Sequence, residues 1–198
     1  MIIMVSTTQV PMEQDKLNLR PKKFLMWLFV ITTFMLFAAL TSGFIVYTAG
    51  SPARGIKMVL PDIFLYSTSV ILLSSVTMYL AYRAGKTLRF GKQTLFLVLT
   101  ILLGVLFCVL QIRSWQTFIS QGVYFINPNA SQSFLYVFTG AHLLHIFAGL
   151  LMLIHALRGR LRNIPQVKNL FNLELTSIFW HFLGLLWLYL YVFLLLNQ

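Results

Sequence analysis

Five apolar runs of about twenty residues each, roughly Phe24–Thr48, Asp62–Tyr82, Thr94–Ile112, Phe134–Leu157 and Leu175–Leu196, leave this chain few choices of fold. A helix of roughly 20 predominantly apolar residues crosses the hydrocarbon core of a bilayer, and it pairs all of its backbone N–H and C=O groups without water. With 59% of the residues hydrophobic and 10% charged, an ordinary soluble domain is excluded. The expected fold is therefore all-α: a polytopic membrane helix bundle with five transmembrane helices over 24–48, 62–82, 94–112, 134–157 and 175–196. An N-terminal arm, residues 1–23, precedes them. The longest connections, Arg113–Ser133 and Arg158–Glu174, hold no soluble domain.

The formal charge of +11 raises the question of nucleic acid, but the 15 basic residues flank the spans instead of lining one helix face. Four precede the first span (Lys16, Arg20, Lys22, Lys23), four follow the second (Arg83, Lys86, Arg89, Lys92) and four follow the fourth (Arg158, Arg160, Arg162, Lys168). The opposite side has Arg54, Lys57 and Arg113. By the positive-inside rule the N-terminus and the basic connections face the cytoplasm or matrix and the C-terminus lies outside. An anionic lipid surface, not a nucleic acid, is the partner this rim expects.

Other local signals are weak. The start, MIIMVSTTQV, is apolar but too short for a signal-peptide core and lacks a preceding basic region. Cys108, the single cysteine, lies inside the third span; it excludes an internal disulfide and any cysteine-based metal cluster, and reads as a small buried hydrophobe. Asn129-Ala130-Ser131 matches the glycosylation acceptor pattern, which is common by chance.

Inside the spans, polar and small residues mark helix interfaces. Gly104, Cys108, Gln111 and Trp115 recur at helical spacing in the third span; Phe138, His142, His145, Gly149 and Met152 do so in the fourth; and Glu174, Ser177, His181, Gly184 and Tyr191 in the fifth. These three stripes are expected to face one another. The serines and threonines of the first two spans are less informative, because a hydroxyl can bond to a carbonyl of its own helix. Trp27, Tyr47, Tyr66, Tyr79, Tyr82, Trp115, Tyr124 and Trp180 read as an interfacial aromatic belt, with Trp187 the deeper exception whose indole needs a partner in the bundle.

There is no pair of intramembrane carboxylates, no glycine-rich phosphate loop and no nucleophile beside a base, so acid–base and covalent catalysis lack their usual parts. The ionisable candidates are His142, His145, His155, His181 and, at a span edge, Glu174. Imidazole is a common ligand of haem, copper and zinc, and one of His142 and His145 facing His181 would suit a haem held between two helices. The other reading is a hydrogen-bonded seam of histidines with Glu174 and Gln111. It requires less of the sequence, since a membrane b-type cytochrome usually shows two such pairs. A stand-alone haem-binding cytochrome and a small transporter are the remaining classes; the second lacks an inverted repeat with broken spans.

Three segments in order, LTILLGVLFCVLQ (Leu99–Gln111), GVYF followed by TGAHLLHIFAG (Gly122–Gly149), and NLELTSIFWHFLGLLWLYLYV (Asn172–Val192), resemble subunit III of the haem–copper cytochrome c and quinol oxidases. The resemblance is to the five-helix form, which lacks the first two helices of the seven-helix version, and it is densest from Leu99 onward. It implies a non-catalytic accessory subunit of a respiratory terminal oxidase. The haems and copper then belong to partner subunits, and proton-coupled oxygen reduction to subunit I. Subunit I is the implied direct partner, beside subunit II, with bound phospholipids, in a bacterial inner membrane or less readily a mitochondrial one, and possible membership of a respiratory supercomplex. Gln111, His142, His145, Glu174, His181 and Trp187 take structural or lipid-cleft roles, and no catalytic, cofactor or metal ligand is implied in this chain. A quinol oxidase or a nitric oxide reductase is the alternative host. Where many relatives carry a glutamate in an Ile-Ser-Glu run this chain has Ile31-Thr32-Thr33, and where they read His-Phe-x-Asp it has His181-Phe182-Leu183-Gly184. Proton or oxygen delivery through those carboxylates does not transfer to it.

Overall fold

The structure, a computed structural model, describes residues 19–50, 60–126, 129–162 and 166–197. They form five helices: α1 (Leu19–Ala49), α2 (Ile63–Lys86), α3 (Phe90–Ser120), α4 (Ala130–Leu161) and α5 (Gln166–Leu196). Each is long and apolar enough to cross a membrane, and no strand occurs among the described residues. Lys16, Arg54, Lys57 and most of the N-terminal arm lie outside them.

The helices outrun their apolar cores. α3 has 31 residues, about 46 Å at 1.5 Å per residue, against a hydrocarbon thickness near 30 Å. It continues through Arg113 to Ser120, and α4 begins at Ala130, so the expected Arg113–Ser133 connection is much shorter than the sequence suggested. Likewise α5 starts at Gln166, well before Glu174. Intrahelical hydrogen bonds persist once a helix leaves the hydrocarbon, and Arg113 sits on an exposed face of α3.

α2 packs along α3, α3 on α4, α4 on α5 and α5 back on α2, closing a four-helix ring, while α1 lies outside it against α4 and α5. Each helix buries one stripe at three- and four-residue spacing. In α1 it is Val30, Thr33, Phe37, Thr41 and Phe44; in α3 it runs through Gln93, Leu97, Thr100, Gly104, Phe107, Gln111, Ser114 and Phe118. The outward faces are large and apolar, as at Val46 and Leu144, each 72% exposed. Lipid removes the usual drive to bury such side chains, so close packing and interhelical hydrogen bonds hold the bundle instead.

Two glycines let a large ring occupy the centre. A Cβ on Gly104 would stand 2.8 Å from Trp180 Cη2 and 2.9 Å from Leu150 Cδ2, and one on Gly149 would stand 3.0 Å from Trp180 Cε3. The indole of Trp180 fills the space that these positions on α3 and α4 leave free.

α2 ends in a Schellman motif: Leu88 N–H donates to Gly85 O at 3.3 Å and Arg89 N–H to Ala84 O at 3.0 Å. The motif puts Leu88 at φ 56°, a left-handed conformation usually given to glycine. Leu88 is 59% exposed, so its side chain contributes little packing in exchange. Leu88→Gly is expected to raise thermal stability in detergent by about 1 kcal/mol; a loss of stability would show that the leucine is held by contacts.

Candidate functional site

The polar interior of the bundle is built on hydroxyls of α2. Ser67 Oγ and Thr68 Oγ1 each donate their proton to Phe64 O of their own helix, at 2.9 and 2.7 Å. That leaves oxygen lone pairs directed at donors from neighbouring helices. Gln111 Nε2 of α3 donates to Ser67 Oγ at 3.1 Å, and Trp187 Nε1 of α5 donates to Thr68 Oγ1 at 3.0 Å. Nearly two turns further along α2, Trp180 Nε1 donates to Ser74 Oγ at 2.8 Å. The same device joins α3 to α4, where Thr139 Oγ1 donates to Leu135 O at 2.8 Å and accepts from Trp115 Nε1 at 3.0 Å. An indole N–H has one proton and no lone pair to offer, so a self-bonded hydroxyl is its natural complement. Thr77 pairs with Thr100 and Thr41 with Tyr189, both at 2.9 Å, tying α2 to α3 and α1 to α5.

Aromatic rings fill the space around these bonds. Trp187 is fully buried, stacked on Phe64 with ring centroids 5.8 Å apart and edge-on to Phe107 at 5.0 Å. His142 stands 5.0 Å from Trp187, 5.8 Å from Phe107 and 6.3 Å from Phe37. It is fully buried, and neither ring nitrogen has a hydrogen-bond partner among the described residues.

The six residues singled out from the sequence therefore do not form one hydrogen-bonded cluster. His142 and Trp187 are in contact at the centre and Gln111 is buried on Ser67, but His145 is half-buried against Phe29 and Phe37 and its Nδ1–H donates to Ala141 O, one turn back, at 2.7 Å. Glu174 pairs with Lys23 Nζ of α1 at 2.6 Å, both partly exposed, so the carboxylate serves an edge contact and not the histidines. His181 is half-buried on the outward side of α5. The expectation of an interfacial Trp180 also fails: the ring is fully buried at the centre. Sequence reading missed Ser67, Thr68 and Ser74, although with Phe64, Ile71, Met78 and Ala81 they make a stripe of helical period, which was the available signal.

Among the described residues, no three side chains of histidine, cysteine, aspartate or glutamate converge as metal ligands would. What the centre can do is hold four helices in register. An unpaired buried polar group costs about 1–3 kcal/mol, so His142→Phe, which keeps a planar ring in the aromatic box, is expected to leave unfolding stability unchanged or raise it by up to about 2 kcal/mol. Thermal unfolding in detergent tests this, and a clear loss would mean that the imidazole has a polar partner in the membrane.

Comparison with known proteins identifies the family. The profile of the family described as cytochrome c oxidase subunit III matches residues 15–197. Cytochrome c oxidase subunit 3 of Bacillus subtilis (strain 168) is 30% identical over 189 residues, which cover 91% of this chain and 89% of that protein. Cytochrome bo(3) ubiquinol oxidase subunit 3 of Pseudomonas aeruginosa is 30% identical over 167 residues, 82% of this chain and 78% of that one. With cytochrome c oxidase subunit 3 of Petromyzon marinus the identity is 32% over 145 residues, 71% of this chain and 53% of the longer relative. A bundle whose interior is committed to helix packing, matched over nearly its whole length, belongs to the cytochrome c oxidase subunit III family.

Proposed function

We propose that the chain is the non-catalytic third subunit of a bacterial respiratory terminal oxidase, seated against subunit I beside subunit II. In this reading subunit I carries the haems and copper and reduces oxygen to water with coupled proton movement, while this chain stabilises it and holds phospholipids. The observation that carries the reading is the chemistry of the core: apart from Lys23–Glu174, the interhelical side-chain bonds described above join neutral indole, amide and hydroxyl groups. Such bonds fix helices in register, and none of them engages a histidine or a cysteine. The bacterial relatives support the cell membrane as its place.

Lipid holding is supported by two adjoining cavities that share His155 and Asn172. One, about 250 Å³, is a mainly apolar groove between α4 and α5 reaching Leu151, Met152 and Leu175. The other, about 210 Å³, reaches Lys22 and Lys168. An acyl chain in the first and an anionic headgroup at the second fit this gradient of polarity. Arg83, Lys86, Arg89, Lys92, Arg158, Arg160 and Arg162 gather at the same end of the bundle, which supports a cytoplasmic N-terminus.

Purification through a tag on this chain in mild detergent tests the proposal. Subunits I and II and a haem spectrum should accompany it, while the chain produced alone should show no haem absorption. Stoichiometric haem on the isolated chain would contradict the reading.

A further inference from the structure

We propose that the outward face of α5, between α1 and α2, is a docking surface for a membrane helix of another oxidase subunit, one that presents a hydrogen-bonding side chain to His181. The proposal rests on the reading that this chain works inside a multi-subunit oxidase, and it assigns one face of the bundle to one kind of partner.

α5 is held on two sides. Phe179 and Tyr189 meet Phe29 and Thr41 of α1, and Trp180 and Trp187 bond to Ser74 and Thr68 of α2. Its inward residues Trp180, Leu183, Leu186, Trp187, Leu190 and Leu194 are buried. The opposite stripe, at helical spacing, is Ile178, His181, Leu185, Leu188 and Val192, of which Leu185 is 69% exposed. His181 is the polar member of an otherwise apolar strip.

Its depth makes that costly. His181 lies seven residues, about 10 Å, along α5 from Glu174, which marks the edge of the apolar run on the same face. Lipid headgroups and bulk water do not reach that level, and an imidazole facing acyl chains leaves both its donor and its acceptor unpaired. No hydrogen bond to the ring occurs among the described residues: Glu174 is engaged by Lys23, and Gly184, the next residue on the α2 side, has no side chain and packs against Ser75. Acyl chains cannot supply the missing bond, whereas a polar side chain on a neighbouring membrane helix can.

The surface beside His181 leaves room for such a helix. A shallow, open depression of about 380 Å³ lies among the α5 side chains from Leu185 and Leu188 to Val192 and Leu196, with Tyr189 and Phe193 on its α1 side. It receives apolar side chains of the same incoming helix about one to four turns from the residue that meets His181. The larger apolar groove between α3 and α4, about 500 Å³ at Gly140, Leu143 and Phe147, lacks this feature because Trp115 beside it is already bonded to Thr139.

The test uses the assembled oxidase in native membranes, with a photo-crosslinking p-benzoylphenylalanine at Leu185 or Leu188 of the tagged chain. The expected result is a covalent adduct with a membrane helix of another oxidase subunit. His181→Phe should reduce its yield several-fold and release that subunit at lower detergent concentration, while the thermal unfolding of this chain by itself is unchanged. Adducts with lipid alone, or with a second copy of this chain, overturn the proposal, as does a His181→Phe variant that retains the partner as firmly as before. If the complex co-purifies but the probes find only lipid, the proposed function stands and this surface falls; if no other subunit accompanies the tagged chain, both fall.

Discussion

Trp180→Ala is expected to lower the unfolding free energy of this chain in detergent by about 3–5 kcal/mol, the range for deleting a large buried aromatic ring. The ring has no exposed surface, lies against Gly104, Gly149 and Leu150, and bonds through Nε1 to Ser74. Its loss opens a cavity where three helices meet α5, and the glycines that made room for it have no side chains to collapse inward. Trp180→Phe should cost less, because it keeps part of the ring and loses the hydrogen bond. Ser74→Ala should cost about 1–3 kcal/mol, since it strands the indole N–H without a partner. The order Ala, then Phe at Trp180, then Ala at Ser74, measured by equilibrium unfolding, identifies packing as the larger contribution. Equal losses in the first and third would make the hydrogen bond dominant instead.

The second large effect comes from adding volume. Gly104→Val is expected to prevent accumulation of the folded chain, because the first carbon added already falls 2.8 Å from Trp180 and 2.9 Å from Leu150. Overpacking by a methylene or two typically costs about 1–3 kcal/mol, and here the neighbour that must yield is a ring fixed by its own hydrogen bond. Gly91 provides the comparison. Nothing lies within 4 Å of a Cβ built there, so Gly91→Ala should be neutral or stabilise the helix by up to about 1 kcal/mol. Combining Gly104→Ala with Trp180→Phe removes the clashing Cη2 atom and should recover part of the loss that Gly104→Ala causes alone. Additive losses in that pair would place the strain elsewhere.

The helices were legible because bilayer thickness imposes a length and a composition on each span, and the five apolar runs met both. Their ends were not, because a helix can continue past the hydrocarbon whenever its outer turns carry exposed polar residues, as α3 does beyond Arg113. Gln111, His142 and Trp187 were recognisable as interior residues by being polar or amphipathic among apolar neighbours. Their partners were harder to read. A hydroxyl in a membrane helix usually bonds its own backbone, and nothing in the sequence distinguishes one that also accepts from a donor on another helix. Ser67 does both with the Gln111 amide of α3, and Thr68 with the Trp187 indole of α5. The Lys23–Glu174 pair was hidden for another reason: it joins the first turns of α1 to α5, a contact that depends on how the outermost helix lies on the ring. The resemblance to subunit III, carried by short motifs from Leu99 onward, extends in the family match to residues 15–197.

In the proposed role this chain contributes packing, and no redox chemistry, to the oxidase. That role is tested most directly by following oxygen consumption by the purified enzyme with and without the chain, from the first turnovers until activity is lost, alongside the haem spectrum. The expected result is the same haem spectrum and a similar initial rate in both, with a several-fold shorter active lifetime when the chain is absent. An oxidase that loses haem absorption in proportion to the missing chain, or whose lifetime is unchanged without it, would contradict the account.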